Sequence, residues 1–377
     1  MSLLRTLSLA LFAFVFSATT YAQSVPAPTL AAKAWLLLDN GSGQVLAAQD
    51  PDTRIEPASL TKLMTAYVVF GAIKQGVIQR NQSVLVSEEA WRTGGSKMFI
   101  KVGTQVLVDD LLHGMITQSG NDACIALAEA VAGTEAKFVE MMNSEAQRLG
   151  LKGTHFTNAT GLTEAQHYAT VRDIATLSSA LIRDYPEFYP LYSQKEFRYN
   201  NITQPNRNRL LWLDPTVDGM KTGHTEAAGY CLVSSSLRGP RRLISVVVGT
   251  ASDNARAQES LKLLNYGFQN FDAVRLYAAN QSLSELRVYK GSSRMIKAGF
   301  TQDFVVSLPK GVGDRLKVEL VSQQPLIAPI QVGQRVGTLK VTLDGNPFGE
   351  YGVQALEDVG VAGFFGRIWD AILLFFQ

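Results

Sequence analysis

Ser59 and Lys62 stand three residues apart in Pro57-Ala58-Ser59-Leu60-Thr61-Lys62-Leu63-Met64-Thr65-Ala66, at the entrance of a segment that then becomes almost wholly apolar. On a helix, residues at i and i+3 share a face, so the hydroxyl and the amine are neighbours. The amino end of the helix carries partial positive potential that favours the serine alkoxide. An ammonium in so apolar a setting is costly unless something compensates. Burial or a second cation lowers its pKa, and a neutral amine can then take the serine's proton. This is a Ser–Lys nucleophile pair, which needs no histidine. Thr61, between the two, reads as a packing residue.

Alone, Ser-x-x-Lys says little, because ordinary composition yields about one or two matches in a chain this long. Ser307-Leu308-Pro309-Lys310 is such a decoy, at the end of a strand-like run and without partners. Two other stretches single out the first match. Ser119-Gly120-Asn121 breaks two apolar helical runs, 107–118 and 121–131, where polar groups can turn into a cleft. Lys221-Thr222-Gly223 ends a β-rich run, and its glycine leaves backbone open for a ligand to pair along the strand edge. Taken singly, these are a turn and a solvated strand end; in this order and at domain-scale spacing they form a set.

The set, in the forms Ser59-Leu60-Thr61-Lys62, Ser119-Gly120-Asn121-Asp122-Ala123-Cys124 and Lys221-Thr222-Gly223-His224-Thr225, resembles the low-molecular-mass penicillin-binding proteins. These are serine D-alanyl-D-alanine carboxypeptidases of the bacterial cell wall. The resemblance implies an acyl-ester on Ser59 with Lys62 as general base. It implies that Ser119 relays a proton to the leaving D-alanine and that Asn121 holds Lys62 and the substrate amide. Lys221 would supply positive potential, Thr222 and Gly223 would line the docking edge, and the N–H groups of Ser59 and His224 would form the oxyanion hole. Arg256 would help seat the terminal carboxylate. The implied partners are the peptidoglycan pentapeptide and β-lactams, the latter as covalent inhibitors. A non-catalytic cell-wall binder on the same fold, and a transpeptidase or endopeptidase, are the alternatives.

Ser252-Asp253-Asn254 spells a related motif, but it follows Lys221-Thr222-Gly223, so it reads as a loop entering the next helix. No deacylating glutamate of the β-lactamase kind lies between Ser119 and Lys221; Glu164 is the nearest and does not match. His113, His155, His167 and His224 lack metal-ligand spacing, Cys124 and Cys231 form no Cys-x-x-Cys pair, and no phosphate-binding glycine loop is present. No cofactor is expected. Both cysteines sit in apolar contexts and read as buried thiols, with one bridge as the alternative.

The elements that must position these residues follow from periodicity. A strand–turn–strand signal spans 34–38 and 44–48, a helix opens near Pro57, and further helices fit 134–149 and 170–184. Strands at 217–222, 229–237 and 242–250 precede a helix at 255–268. The predicted fold is α+β: an antiparallel sheet flanked by helices with a helical subdomain, of the β-lactamase and penicillin-binding transpeptidase kind, over 23–275. Short alternating strands predict a small all-β domain over 276–360. Residues 1–22 have one early base, a short apolar run and a small-residue end, the pattern of a signal peptide, so the mature protein is expected to be exported. Residues 361–377 form an amphipathic helix, with Phe364, Phe365, Ile368, Trp369 and Ile372 on its apolar face, too short to span a bilayer but suited to its surface. The expected location is the outer leaflet of the inner membrane, facing the periplasm. A net charge of +2 without a basic block excludes a nucleic-acid binder.

Overall fold

The computed structural model describes residues 25–375, so the expected signal segment and the last two residues lie outside the described region. Five strands form one antiparallel sheet, in the order Val45–Gln49, Ala34–Asp39, Arg241–Thr250, Gly229–Arg238, Val217–Thr225. The central strands are apolar on both faces because both are covered. Ala34, Leu36 and Leu38 turn toward the helical block with Val233, Ile244 and Val246. Trp35 and Leu37 turn the other way, onto Leu263 and Leu264 of the helix Asp253–Asn270. This period of two is what a sheet sandwiched between helices requires.

The helix Lys62–Lys74 runs through the middle of the helical block, buried around most of its circumference, as an all-apolar helix should be. Around it lie Val108–Thr117, Asn121–Ala132, Glu135–Arg148 and Val171–Asp184. Thr134, Thr170 and Ser252 each accept a hydrogen bond from the N–H three residues on, so Ser252-Asp253-Asn254 is a helix entry, as read from its position. Two small two-stranded sheets, Ser83–Leu85 with Gln105–Leu107 and Glu196–Tyr199 with Ile202–Pro205, had no counterpart in the sequence reading.

The all-β part begins a little before the expected 276: the strand Phe271–Tyr277 pairs with Phe304–Pro309 beside a six-stranded sheet. The decoy residue Ser307 lies on the second of these strands and contacts the first domain, its N–H donating to Gln44 Oε1 at 2.7 Å. The final helix, Phe364–Phe375, is held by its polar side, where Asp370 accepts from the Lys290 N–H. Its aromatic face is open, with Phe365 84% and Phe375 85% exposed. No helix among the described residues is long and apolar enough to cross a membrane.

Candidate active site

Ser59 lies in a single 3-10 turn, Ala58–Thr61, and Lys62 is the first residue of the α-helix that continues it. The expected pairing holds, but on a tighter spiral, where residues i and i+3 eclipse. The turn is strained at Ala58, whose φ is +48°. It is pinned from outside by Gly161, where an added Cβ would lie 1.9 Å from the Ala58 carbonyl oxygen. Only glycine, itself at φ +84°, allows the two segments to meet this closely.

Lys62 is 1% exposed, and its Nζ has three oxygen neighbours: Ser59 Oγ at 3.0 Å, Asn121 Oδ1 at 2.7 Å and the Thr160 carbonyl at 2.6 Å. Asn121 Oδ1 and the Thr160 carbonyl are the two shortest. A neutral amine has two N–H bonds, and these two acceptors take both. Its lone pair is then left facing the Ser59 hydroxyl, the geometry a general base needs. Burial lowers the Lys62 pKa first; Cys124 and Asp122 oppose it, and the Arg207 guanidinium adds to the lowering. Lys221 is depressed more strongly, by burial first and by repulsion from Lys62 second. Burial therefore leads the effect on both lysines, and Arg207, which no motif marks in the sequence, is a further cation that lowers each.

Ser119 opens the second helix pair from a left-handed backbone, φ +62°, at the break foreseen between Val108–Thr117 and Asn121–Ala132. Its hydroxyl is buried and has no partner among the described residues. Asn121 spends both ends of its amide internally, accepting from Lys62 and donating to the Gly94 carbonyl at 2.7 Å. Asp122 fixes the facing loop by accepting from the N–H groups of Met98, Phe99 and Ile100.

Strand Val217–Thr225 forms the far wall and is the edge of the sheet, so part of its backbone stays unpaired toward the cleft. Gly223 abuts the nucleophile turn, where a Cβ would come 3.3 Å from the Ser59 nitrogen. Lys221, on this strand and buried, donates from Nζ to the Thr222 carbonyl at 3.1 Å. The cleft, about 640 Å³, is lined by Ser59, Thr222, Gly223, His224 and Arg256, among others, while Lys62, Ser119, Asn121 and Lys221 stand behind that lining. Arg207, Arg209 and Arg256 give it three guanidinium groups, offset by Asp253, which pairs with Arg256. Arg256 also donates to the Gly223 carbonyl at 3.2 Å, tying it to the docking strand. His224 packs on Tyr230 with ring centres 4.1 Å apart.

Residues 21–252 match the family described as D-alanyl-D-alanine carboxypeptidase, peptidase family S11. The chain belongs to this family of serine-type carboxypeptidases. Residues 271–361 match the C-terminal domain of penicillin-binding protein 5. Among curated carboxypeptidases, DacC of Escherichia coli K12 is 44% identical over 387 residues, spanning 100% of this chain and 97% of that one. Penicillin-binding protein 5 of Haemophilus influenzae superposes with a TM-score of 0.84 at 44% identity, covering 89% of this chain and 99% of that one. Penicillin-binding protein D2 of Listeria monocytogenes, in an ampicillin-bound form, matches at TM-score 0.60 and 31% identity over 65% of this chain and all of that one. The fold is thus the penicillin-binding and β-lactamase-like one read from the motifs.

One motif residue was misread from the sequence. Thr61 is more than packing: its Oγ1 bonds Nε2 of His167 at 2.8 Å, and His167 is buried. Cys124 and Cys231 are buried and free, as their apolar contexts suggested, and burial raises each thiol to about 11. Glu164 accepts from Asn158 Nδ2 at 3.0 Å and lines a separate groove with Arg54 and Tyr168, away from the Ser59 cleft.

Proposed function

We propose that this carboxypeptidase removes the terminal D-alanine from peptidoglycan pentapeptide stems through an acyl-enzyme on Ser59. The observation that carries the reading is that Lys62 Nζ lies within hydrogen-bond distance of Asn121 Oδ1, the Thr160 carbonyl and Ser59 Oγ at once; with the amine neutral, the two shorter contacts take its N–H bonds and its lone pair faces Ser59. Lys62 takes the Ser59 proton as Oγ bonds to the carbonyl carbon between the two D-alanines. The N–H groups of Ser59 and His224 receive the oxyanion, each such donor being worth roughly 3–4 kcal/mol. As the C–N bond breaks, the proton passes from Lys62 through the unpartnered hydroxyl of Ser119 to the leaving amine. Water then attacks the ester and the stem leaves one residue shorter. The terminal carboxylate is drawn to Arg256 with Arg207 beside it, in a cleft whose charge suits an anion.

β-Lactams acylate the same hydroxyl and leave slowly, since the carboxylate in the cleft lining, that of Asp253, is held by Arg256 and is not free to activate a deacylating water. The protein acts after export, resting on the periplasmic face of the inner membrane through the open aromatic side of Phe364–Phe375. Incubating the full chain with a peptide ending in D-Ala-D-Ala tests the reaction. One free D-alanine per shortened peptide is expected. No release, or release matched by cross-linked product, overturns it.

A further inference from the structure

Lys62 depends on a carbonyl, that of Thr160, which belongs to a loop remote in sequence. The loop between His155 and Tyr168 is closed at its base, with His155 N donating to Tyr168 O at 2.9 Å and Tyr168 N to His155 O at 3.0 Å. It meets the nucleophile-bearing segment at three successive points: Thr61 Oγ1 with His167 Nε2, Lys62 Nζ with the Thr160 carbonyl, and Thr65 Oγ1 with the Ala159 carbonyl at 2.6 Å. The first of these also reaches back into the loop. The Thr157 backbone N–H donates to His167 Nδ1 at 3.1 Å, so Nδ1 is an acceptor and Nε2 carries the hydrogen that goes to Thr61. The ring bridges one limb of the loop and the turn that holds Ser59.

We infer that His167 is a positioning residue for acylation: clamped between the Thr157 N–H and the Thr61 hydroxyl, it holds the Thr160 carbonyl on Lys62 and so aims the lysine lone pair at Ser59. This rests on the Ser59–Lys62 reading above. The clamp described is that of the neutral ring: a second proton on Nδ1 would break the bond from the Thr157 N–H and leave only the Thr157 hydroxyl, also 3.1 Å from Nδ1, to receive it. Burial keeps the ring neutral, holding its pKa near 4 although Glu164 and Glu56 pull it up, with His155 and Lys62 adding to the depression. If the clamp is lost, the loop loosens and water reaches Lys62. Its amine then moves back toward an ordinary lysine, since burial is the main cause of its depression, with Arg207 aiding and Cys124 and Asp122 opposing.

The test is the acylation rate of the full chain with a fluorescent penicillin, followed against pH, for wild type, Thr61→Val, His167→Ala, His167→Gln and Thr61→Val with His167→Ala. Removing either end of the clamp is expected to slow acylation roughly ten- to a hundredfold, the scale of a misaimed reacting group. The acid limb should move to higher pH. The double variant should be no slower than the worse single, and His167→Gln should recover much of the rate because its amide offers an N–H donor for Thr61 and a carbonyl acceptor for the Thr157 N–H. Thr61→Val keeps the fold question separate if His167→Ala does not fold. Acylation within twofold of wild type in Thr61→Val, an unmoved acid limb, or losses that multiply in the double variant would overturn the inference. Failure of wild-type Ser59 to label at all would instead overturn the site reading beneath it.

Discussion

Gly161→Ala perturbs the nucleophile turn without replacing any residue that carries a side chain of the site. The new Cβ would stand 1.9 Å from the Ala58 carbonyl oxygen and 2.9 Å from Thr61 Oγ1. Neither can yield alone, because the first is backbone and the second is held by His167. The loop and the turn must part by roughly 1 Å or more to regain ordinary contact. Two separate terms follow. A side chain at φ +84° is unfavourable by about 1–2 kcal/mol wherever it occurs. The overpacking adds about 1–3 kcal/mol. Gly133→Ala isolates the first, since Gly133 sits at φ +81° with nothing within 4 Å of the added carbon. Gly161→Ala should therefore be less stable than Gly133→Ala by the overpacking term, measured by urea unfolding. Ser59 directly follows Ala58, so acylation by a fluorescent penicillin should also fall about a hundredfold, the cost of a displacement near 1 Å. Equal stabilities of the two variants, together with an unchanged acylation rate for Gly161→Ala, would refute the claim that this glycine pins the turn.

Two further outcomes are expected. The folded-state pKa of His167, about 4, lies below its unfolded value of 6.5, so the unfolded chain takes the proton first as pH falls. Its contribution to stability is whole above pH 6.5 and is lost progressively down to about pH 4; the shift caps the loss at about 3 kcal/mol. Urea unfolding at pH 7.5 and 4.5 should show a smaller acid loss in His167→Gln than in wild type, and equal losses would count against a buried neutral ring. Deleting residues from Val361 onward should release the protein from anionic and zwitterionic vesicles while leaving penicillin labelling intact; continued co-sedimentation would exclude the helix as the anchor.

The site was legible where chemistry depends on residue type at fixed spacing. Ser59 with Lys62, the break at Ser119 and the strand end at Lys221 each leave a local signature, and the structure gathers all three around one cleft. Contacts made by backbone left none: the Thr160 carbonyl on Lys62 could have come from any residue in that loop. Thr61 and His167 are 106 positions apart, so neither reveals the other, and a buried threonine in an apolar helix looks like packing. Arg207 lies in a loop with no periodicity and reaches the cleft only through the fold. The helices were legible to within a residue or two at ends such as Thr134, Thr170 and Gly150, where caps mark them, and the 3-10 turn at Ser59 was not, because 3-10 and α turns share the i, i+3 spacing. Strand order stayed hidden as well, since Ala34–Asp39 pairs with Arg241–Thr250 across some two hundred residues and only tertiary packing chooses that partner.

The central claim is that Ser59 is the nucleophile and Lys62 its base. Peptide mapping by mass spectrometry after brief exposure to a penicillin tests it most directly. One adduct on the peptide that carries Ser59 is expected, absent from Ser59→Ala and much slower to form in Lys62→Ala, with both variants still folded. An adduct on a peptide carrying Ser119 or Ser307, or one that persists in Ser59→Ala, would contradict it.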